Sequence, residues 1–247
     1  PALLIGPSNP NYKIAADYLT KQGFGSLVGQ TLAITSRVFD FGPRTNTNNL
    51  NDSRFVAGAK GDIDGHSWES AVYSMTSKID SGVADGYFSQ VKFAQIVNSR
   101  NDWNPWAPAA AQTDAFKQAV QAAKFTGTTI GISSKTVGGD AKITGPAFKA
   151  PGGDAMYAAG VQYQKFELER NPDLALASGD IAGLGGAQLA LTKDRSLTAG
   201  FGELSIPLSK VLEVNASARH DNYSDFGGAD TYKANARWKA TDTAVVR

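Results

Sequence analysis

Charged or polar side chains alternate one for one with small or aromatic side chains along residues 230–239, which read DTYKANARWK. Successive side chains of a β-strand point to opposite sides, so the segment predicts a strand with one ionic face and one apolar face. The apolar set comprises Tyr232, Ala234, Ala236 and Trp238. A soluble sheet would bury this set in a core, whereas a membrane barrel would turn it to lipid and turn the charges to a wet lumen. The segment alone leaves both arrangements open.

The same two-faced pattern recurs as hairpins along the chain. Residues 54–62 lead through Asp64-Gly65 into 67–78, because this dipeptide tolerates the positive φ angles of a tight turn. Residues 139–148 lead through a Pro-Gly-Gly turn at 151–153 into 154–170, and residues 196–209 lead through a turn around Lys210 into 213–223. Residues 230–239, followed by a turn at 240–243, begin a fourth hairpin. We therefore predict an antiparallel meander of roughly eight or nine strands.

Two kinds of connection alternate along this meander. Tight turns join the strands of each hairpin, while the predicted connections between hairpins are 81–137, 171–195 and a shorter Gly-rich stretch at 224–229. Short turns at one end and long loops at the other are typical of outer-membrane barrels. A structureless loop as long as 81–137 also argues against a compact soluble domain.

The size of the apolar side chains favours the membrane arrangement. Alanine dominates the apolar faces, at positions 57, 59, 216, 218, 234 and 236. A close-packed protein core needs larger side chains, whereas lipid tails fill such gaps themselves. A register slip of one residue would bring Lys233 and Arg237 into lipid at about 2–4 kcal/mol each near the midplane. Tyr232 and Trp238 fit the aromatic girdles at the two membrane interfaces.

Composition excludes several classes of function. With 24 basic and 23 acidic residues the net charge is +1, so we expect no nucleic-acid partner. The chain has no cysteine, which excludes disulfides and thiolate metal sites, and no run of 18 apolar residues that predicts a transmembrane helix. His66 and His220 lie far apart in sequence, and no nucleophile or metal-ligand pattern surrounds them. We therefore predict no catalytic site, no metal site and no cofactor.

Several longer phrases resemble one known family. The elements E-L-x-I-P-L, A-R-x-D-x-Y-S-D-F-G and R-W-x-x-T in residues 201–247 resemble the barrel of TonB-dependent outer-membrane receptors. Residues 44–74 and 155–173 are similar to other strands of that family, so the resemblance covers roughly 31–80 and 139–247. These phrases are typical of the barrel wall and do not identify the transported ligand.

The resemblance implies a fold, a location and partners. We expect an all-β, up-and-down transmembrane β-barrel meander with long extracellular loops and one short helix, in the bacterial outer membrane. Family barrels have about 22 strands around a plug, so residues 1–247 are expected to be an internal part of one barrel domain, with 81–138 as a long extracellular loop region and no plug domain. The expected partners are a TonB-type energy-transducing complex acting through the missing plug, outer-membrane lipid, and a small-molecule ligand such as a siderophore, cobalamin or sugar. Pro1 at the start and no signal segment after it agree with a removed targeting segment or with a piece of a longer protein.

The loop region contains the candidate ligand-binding residues. Arg100, Trp103 and Trp106 lie close together in sequence beside two prolines, and exposed aromatic rings next to an arginine suit ligand binding. The alternative is that both tryptophan rings pack the loop. Thr113 is predicted to cap a short helix with an apolar stripe at positions 116, 120 and 123.

A second set of candidate residues faces one side of the sheet. The predicted lumen-facing residues are Glu203, Glu213, Arg219, Asp221, Lys233 and Arg237. In a receptor these side chains line the lumen, and in a soluble sheet they form a salt-bridge lattice in solvent.

Two main hypotheses of function follow. The first is the barrel portion of an outer-membrane active-transport receptor that binds a scarce nutrient, such as an iron–siderophore complex, for TonB-energised uptake. The alternative is a small outer-membrane or soluble β-sheet module that binds or supports without transport. An outer-membrane enzyme is a distant third hypothesis.

Overall fold

The computed structural model of the chain describes residues 2–35 and 37–247 and consists mainly of one antiparallel sheet. The strands of this sheet are β3 Thr45–Ile63, β4 His66–Phe88, β5 Lys124–Ala150, β6 Gly153–Pro172, β7 Leu191–Pro207, β8 Leu212–Tyr223, β9 Gly227–Lys239 and β10 Val245–Val246. A separate two-stranded sheet pairs β1 Ala2–Ile5 with β2 Leu32–Thr35. The α-helices are α1 Tyr12–Lys21, α2 Gln90–Ser99, α3 Asp114–Val120 and α4 Leu174–Ser178, and short 3-10 helices span Gly25–Leu27, Ala109–Ala111 and Gln121–Ala123. In the described residues, every helix is too short or too polar to cross a bilayer.

The predicted meander is confirmed by the strand order, which runs from β3 to β10 without a crossover. Asp64 and Gly65 have φ angles of 50° and 79°, as a two-residue hairpin turn requires. Within the described residues β3 and β10 stand at opposite ends of this order, so the sheet is open and forms a partial barrel wall.

The strands extend further than the alternation of side chains predicts. β4 continues to Phe88 and β5 begins at Lys124, so the connection between them is 89–123 and not 81–137. In the same way β6 and β7 leave a connection of 173–190 and not 171–195. Strand pairing uses backbone groups, and it therefore persists where the side-chain pattern lapses.

The connections contain more helix than the sequence predicts. The predicted helix at Thr113 is confirmed as α3, since the Thr113 hydroxyl accepts a hydrogen bond from the Phe116 amide at 3.1 Å. Phe116, Val120 and Ala123 are all buried, as the predicted stripe requires. The remaining helices, α1, α2 and α4, are additions to the single helix that was expected.

The chain divides into two compact units. The first contains residues 1–50, 79–132 and 170–190, and most of the buried apolar side chains belong to it. The second contains residues 51–78, 133–169 and 191–247 and consists of paired strands.

Strand register in the second unit separates two chemically different faces. Glu203 pairs with Ser217 and Ser217 pairs with Lys233, while Ala216 pairs with Leu204 and Ala234. Directly paired residues of antiparallel strands share a face, and neighbours along a strand do not. One face therefore carries most of the charges, and the other carries mainly small and aromatic side chains, with the paired Asp230 and His220 as its polar exception. The apolar face is not covered by described residues, since Tyr232 is 75% and Trp238 51% exposed.

Aromatic side chains lie over glycines of neighbouring strands in this unit. A Cβ atom added at Gly160 would lie 2.5 Å from the ring of Phe201 and 2.8 Å from the carbonyl oxygen of Ala141. A Cβ at Gly61 would likewise lie 3.1–3.2 Å from the indole of Trp68. Rings that cover a glycine in this way supply the packing that the glycine itself lacks.

Replacing Gly160 by alanine should therefore destabilise the sheet. We expect Gly160→Ala to lower the free energy of unfolding by about 1–3 kcal/mol, because its methyl group overpacks against a ring and a fixed backbone oxygen. Gly202→Ala is the matched control, since a Cβ there has no atom within 4 Å. Urea unfolding of the two variants in the same detergent measures the difference, and equal stabilities would contradict this packing.

Candidate functional site

The helical connections of the first unit share one aromatic core. Phe41, Phe88, Phe93, Trp103 and Phe116 are each less than 5% exposed. The rings of Phe41 and Phe88 stack with centroids 4.4 Å apart, and Trp103 meets Phe93 edge-on at 6.4 Å. Aromatic pairs in these geometries add to the stability that burial provides. The core therefore gives the connections a fixed structure on which a binding site can be built.

Polar contacts tie separate segments to this core. Asp180 accepts hydrogen bonds from the Ser89 hydroxyl and, at 2.8 Å, from the Val91 amide. Both contacts lie at the N-terminus of α2, where unpaired backbone amides need acceptors. Asn9 donates to Asn98 at 2.7 Å and thereby joins the N-terminal segment to the last turn of the same helix.

Residues 37–44 are held by hydrogen bonds that their backbone carbonyl groups accept. The Gly86 amide donates to the carbonyl oxygen of Phe41 at 3.1 Å, and the Gln121 side chain donates to the carbonyl oxygen of Asp40 at 3.2 Å. The close approach at Gly86 needs glycine, because its φ is 77° and a Cβ would lie 2.4 Å from the Arg44 nitrogen. The positions of Phe39 and Asp40 consequently depend on the close contact between the backbone at Gly86 and the backbone of residues 41–44.

Gly86→Ala should displace the 37–44 segment. The variant combines a left-handed backbone conformation with a clash against backbone atoms, and strain of this kind costs about 1–3 kcal/mol. Gly25→Ala is the control, since nothing lies within 4 Å of a Cβ there and its φ is not positive. Amide hydrogen exchange should show lost protection at residues 37–44 in Gly86→Ala alone, and unchanged protection would contradict the assigned role.

The loop that follows Trp103 is rigid because a buried glutamine holds it. The Gln112 amide donates to the carbonyl oxygens of Asn104 at 2.6 Å and Ala107 at 3.2 Å, and its oxygen accepts from the Asn104 amide at 3.1 Å. The Asn104 side chain accepts from the Trp106 amide at 3.0 Å. Pro105 and Pro108 further restrict this backbone. The position of the Trp106 backbone is therefore set before any ligand arrives.

A cavity of about 390 Å³ lies between residues 37–40 and residues 103–112. Trp103 and Phe93 are buried at its lining, while Trp106 is 45% and Phe39 65% exposed. The volume falls in the range of about 300–1,000 Å³ that small-molecule sites occupy.

Asp40 is the acidic group of this cavity. Its Oδ1 atom is enclosed and has no hydrogen-bond partner among the described residues. Burial raises the pKa of Asp40 above its ordinary value, although the charge of Lys117 acts in the opposite direction. A buried acceptor without a donor costs free energy of folding.

Arg100 belongs to an ion pair beside this cavity. Its guanidinium donates two hydrogen bonds to the Asp102 carboxylate, at 2.6 and 2.7 Å. The same carboxylate accepts from the Thr113 hydroxyl at 2.9 Å, which links the pair to the N-terminus of α3. Together these contacts, the Arg100 hydrogen bond foremost, lower the pKa of Asp102 from 3.8 to about 2.

The stability that Asp102 contributes should therefore depend on pH in the acid range. A carboxylate with a lowered folded-state pKa stabilises fully above its unfolded value, and this contribution disappears as the pH falls through the folded value. We expect the difference in stability between the native protein and Asp102→Asn to be constant above the ordinary pKa of 3.8 and to vanish near the lowered value of about 2. Hydrogen exchange of the α3 amides as a function of pH measures this difference. A difference that persists below that value would contradict the ion pair.

The three predicted ligand-binding residues lie in three different environments. Trp103 is 4% exposed within the core, so its ring packs the loop as the alternative interpretation stated. Trp106 lines the cavity with an exposed ring, whereas Arg100 is engaged by Asp102 and does not line the cavity. Ligand binding by Arg100, Trp103 and Trp106 stays a prediction. Sequence reasoning missed Phe39 and Asp40, whose only signal is the aromatic-acid-aromatic run at 39–41.

The six charged residues predicted to line a lumen share one face of the sheet. Glu213 pairs with Arg237, and the other four follow at alternate positions of the paired strands. Arg219 donates to Asp221 at 2.7 Å and to Gln162 at 2.9 Å, so the charges form local networks. That this face lines a lumen stays a prediction. No group of three metal-ligating side chains occurs among the residues described.

A known protein family matches nearly the whole chain. Residues 6–247 match the sequence model of the family described as "TonB dependent receptor-like, beta-barrel". No curated protein matches the chain.

Two similar solved structures are both variants of the ferric enterobactin receptor PfeA from Pseudomonas aeruginosa. One has a TM-score of 0.51 at 12% identity and covers 79% of this chain and 24% of its own. The other has a TM-score of 0.52 at 11% identity and covers 90% of this chain and 25% of its own. At this identity the similarity concerns the fold alone, and the chain spans about a quarter of the length of these structures.

Proposed function

Because this chain belongs to the TonB-dependent receptor β-barrel family, we propose that it forms part of the barrel wall and external loops of an outer-membrane nutrient receptor. The observation that carries the proposal is the sheet with one charged face and one exposed apolar face. A transmembrane barrel places its apolar face in lipid and its polar face in the lumen. In this arrangement Glu203, Arg219 and Lys233 face the interior.

The two kinds of connection indicate the orientation of the strands. Tight turns join β3 to β4, β5 to β6 and β7 to β8, whereas 89–123 and 173–190 are long. Outer-membrane barrels keep short turns in the periplasm and long loops outside the cell. The loop core around Phe93 and Trp103 thus belongs to the extracellular side, where a ligand first meets the receptor.

The activity of the whole receptor is also proposed. Residues 1–247 are part of a single barrel domain, and a plug encoded elsewhere in the receptor couples it to a TonB-type complex. Binding at the extracellular loops precedes uptake of a scarce nutrient, without chemical change to it. An iron–siderophore complex is one candidate, because both similar structures are of a ferric enterobactin receptor.

Arginine introduced at neighbouring positions of β8 tests the two-faced arrangement. Ala216→Arg places a charge on the apolar face and should destabilise the barrel in lipid by about 2–4 kcal/mol near the midplane. Ser217→Arg is the matched control, since Ser217 lies one residue further along on the charged face, between Glu203 and Lys233. Reversible unfolding in lipid vesicles measures both variants.

Equal losses in the two variants would contradict the lipid-facing assignment. A large loss in Ser217→Arg with none in Ala216→Arg would reverse the faces. Either result would contradict the proposed assignment of the apolar face to lipid.

Location and uptake can be tested on the complete receptor. We expect it in the outer-membrane fraction, with a detergent-dependent solubility and an electrophoretic mobility that changes on heating. Uptake of its nutrient should stop when an uncoupler removes the inner-membrane proton gradient, while binding continues. A protein that is soluble without detergent, or uptake that survives the uncoupler, would overturn the proposal.

A further inference from the structure

We propose that Asp40 acts as a pH-sensitive switch, which keeps the 37–44 segment packed on the aromatic core while its carboxyl group is protonated and loosens the segment when the group ionises. Its two neighbours along the chain differ in burial, since Phe39 is 65% and Phe41 3% exposed. Phe39 and Asp40 form one wall of the cavity that Trp106 lines from the loop after the core. A loosened segment therefore moves a wall of this cavity.

One carboxylate oxygen of Asp40 is enclosed without a donor. Its Oδ1 atom has no hydrogen-bond partner among the described residues. The Asp102 carboxylate, by contrast, accepts hydrogen bonds from Arg100 and Thr113. An enclosed charge without a partner costs more free energy than a neutral carboxyl group in the same place. The packed segment therefore favours the protonated form of Asp40.

The segment is attached to the core by contacts that one buried charge can weaken. The Gly86 amide donates to the carbonyl oxygen of Phe41 at 3.1 Å, and the Gln121 side chain donates to that of Asp40 at 3.2 Å. Both distances lie at the upper end of the usual range of about 2.7–3.2 Å. Segments held by a few surface hydrogen bonds open locally at a lower free energy than the whole fold.

Charged groups of the described residues face the segment from α3, from β4 and from the segment itself. Lys117 of α3 acts on the Asp40 carboxylate and opposes the effect of burial. Arg37 lines the same cavity as Asp40. Asp85 of β4 faces the segment and pairs with Lys124 at 2.7 Å. Burial is nevertheless the largest influence on Asp40, and it raises the pKa of this group above its ordinary value of 3.8.

The raised pKa of Asp40 determines the direction of the pH dependence. Below 3.8 the carboxyl group is protonated in the packed and the loosened segment alike, so the full stability of the packed segment is present. As the pH rises through the raised value, this stability is lost, because the loosened segment gives up the proton more readily. Asp102 stays ionised throughout this range, since its pKa is lowered to about 2.

Amide hydrogen exchange of the complete receptor in detergent tests the switch. The Gly86 amide and the amides of residues 37–44 report on the packed segment, and each measured rate is divided by the rate of an unprotected amide at the same pH. We expect this protection to fall by about tenfold per pH unit between the ordinary and the raised pKa of Asp40, and to be constant at higher pH.

Two substitutions separate Asp40 from other causes of a pH dependence. Asp40→Asn keeps the shape of the side chain without its charge, so the protection should be constant over the same pH range. Lys117→Gln removes the charge that opposes burial, so the fall in protection should extend to higher pH. Lys13→Gln is the matched control, because Lys13 pairs with Asp17 in solvent on α1, and it should leave the profile unchanged. The heat-dependent mobility of each variant checks that the barrel is folded.

Three results would overturn the switch. The first is protection in the native receptor that does not change with pH. The second is a fall in protection that persists in Asp40→Asn, and the third is a profile that Lys117→Gln leaves in place, since either would assign the titration to another group. The membrane assignment is tested separately, because a receptor found outside the outer membrane with the expected profile would overturn the proposed function and leave the switch standing.

Discussion

Backbone pairing between adjacent strands is the interaction on which the rest of the structure depends. The register of β7, β8 and β9 brings six charged residues to one face and four alanines to the other. The charged residues are Glu203, Glu213, Arg219, Asp221, Lys233 and Arg237, and the alanines are Ala216, Ala218, Ala234 and Ala236. A shift by one position would exchange the faces completely, because side chains alternate along a strand. The separation of charged from apolar side chains on the two faces therefore depends on the register of the backbone hydrogen bonds as well as on the order of the side chains. Both faces of these strands carry exposed side chains among the described residues, and the proposed membrane barrel would give each face its own surroundings, lipid for one and water for the other.

The connections between the strands need an apolar core of their own. A sheet of small side chains provides little protein core, so the described connections build their own around Phe93, Trp103 and Phe116. Segments far apart in the chain contribute to it, and they are joined by the hydrogen bond that Asp180 accepts from Val91 and the one that Asn9 donates to Asn98. A rigid loop core is what allows Trp106 to stay exposed in a defined position. Binding sites on loops generally need such a scaffold.

Sequence reasoning succeeded where structure is local and failed where it depends on distant contacts. The turn at Asp64-Gly65 follows from two adjacent residues, and the cap at Thr113 follows from residues three positions apart. The helices α1, α2 and α4 were missed because their apolar residues pack against distant parts of the chain, those of α1 and α2 against the loop core and Ala175 of α4 against a separate cluster of Val83, Tyr87 and Ile181. Trp103 and Trp106 are similar in sequence context, yet one is buried and the other is not. Packing decides between them, and packing cannot be read from spacing.

The sequence by itself determined the two-faced strands, the tight turns and the membership of the family, since alternation and turn chemistry act over a few residues. Only the tertiary structure decided that Phe39 and Asp40 meet Trp106 across one cavity, and that Arg100 pairs with Asp102 outside its lining. These contacts join segments separated by more than sixty residues or depend on the direction of single side chains. They form because the aromatic core and the backbone hydrogen bond from Gly86 to Phe41 hold distant segments in place.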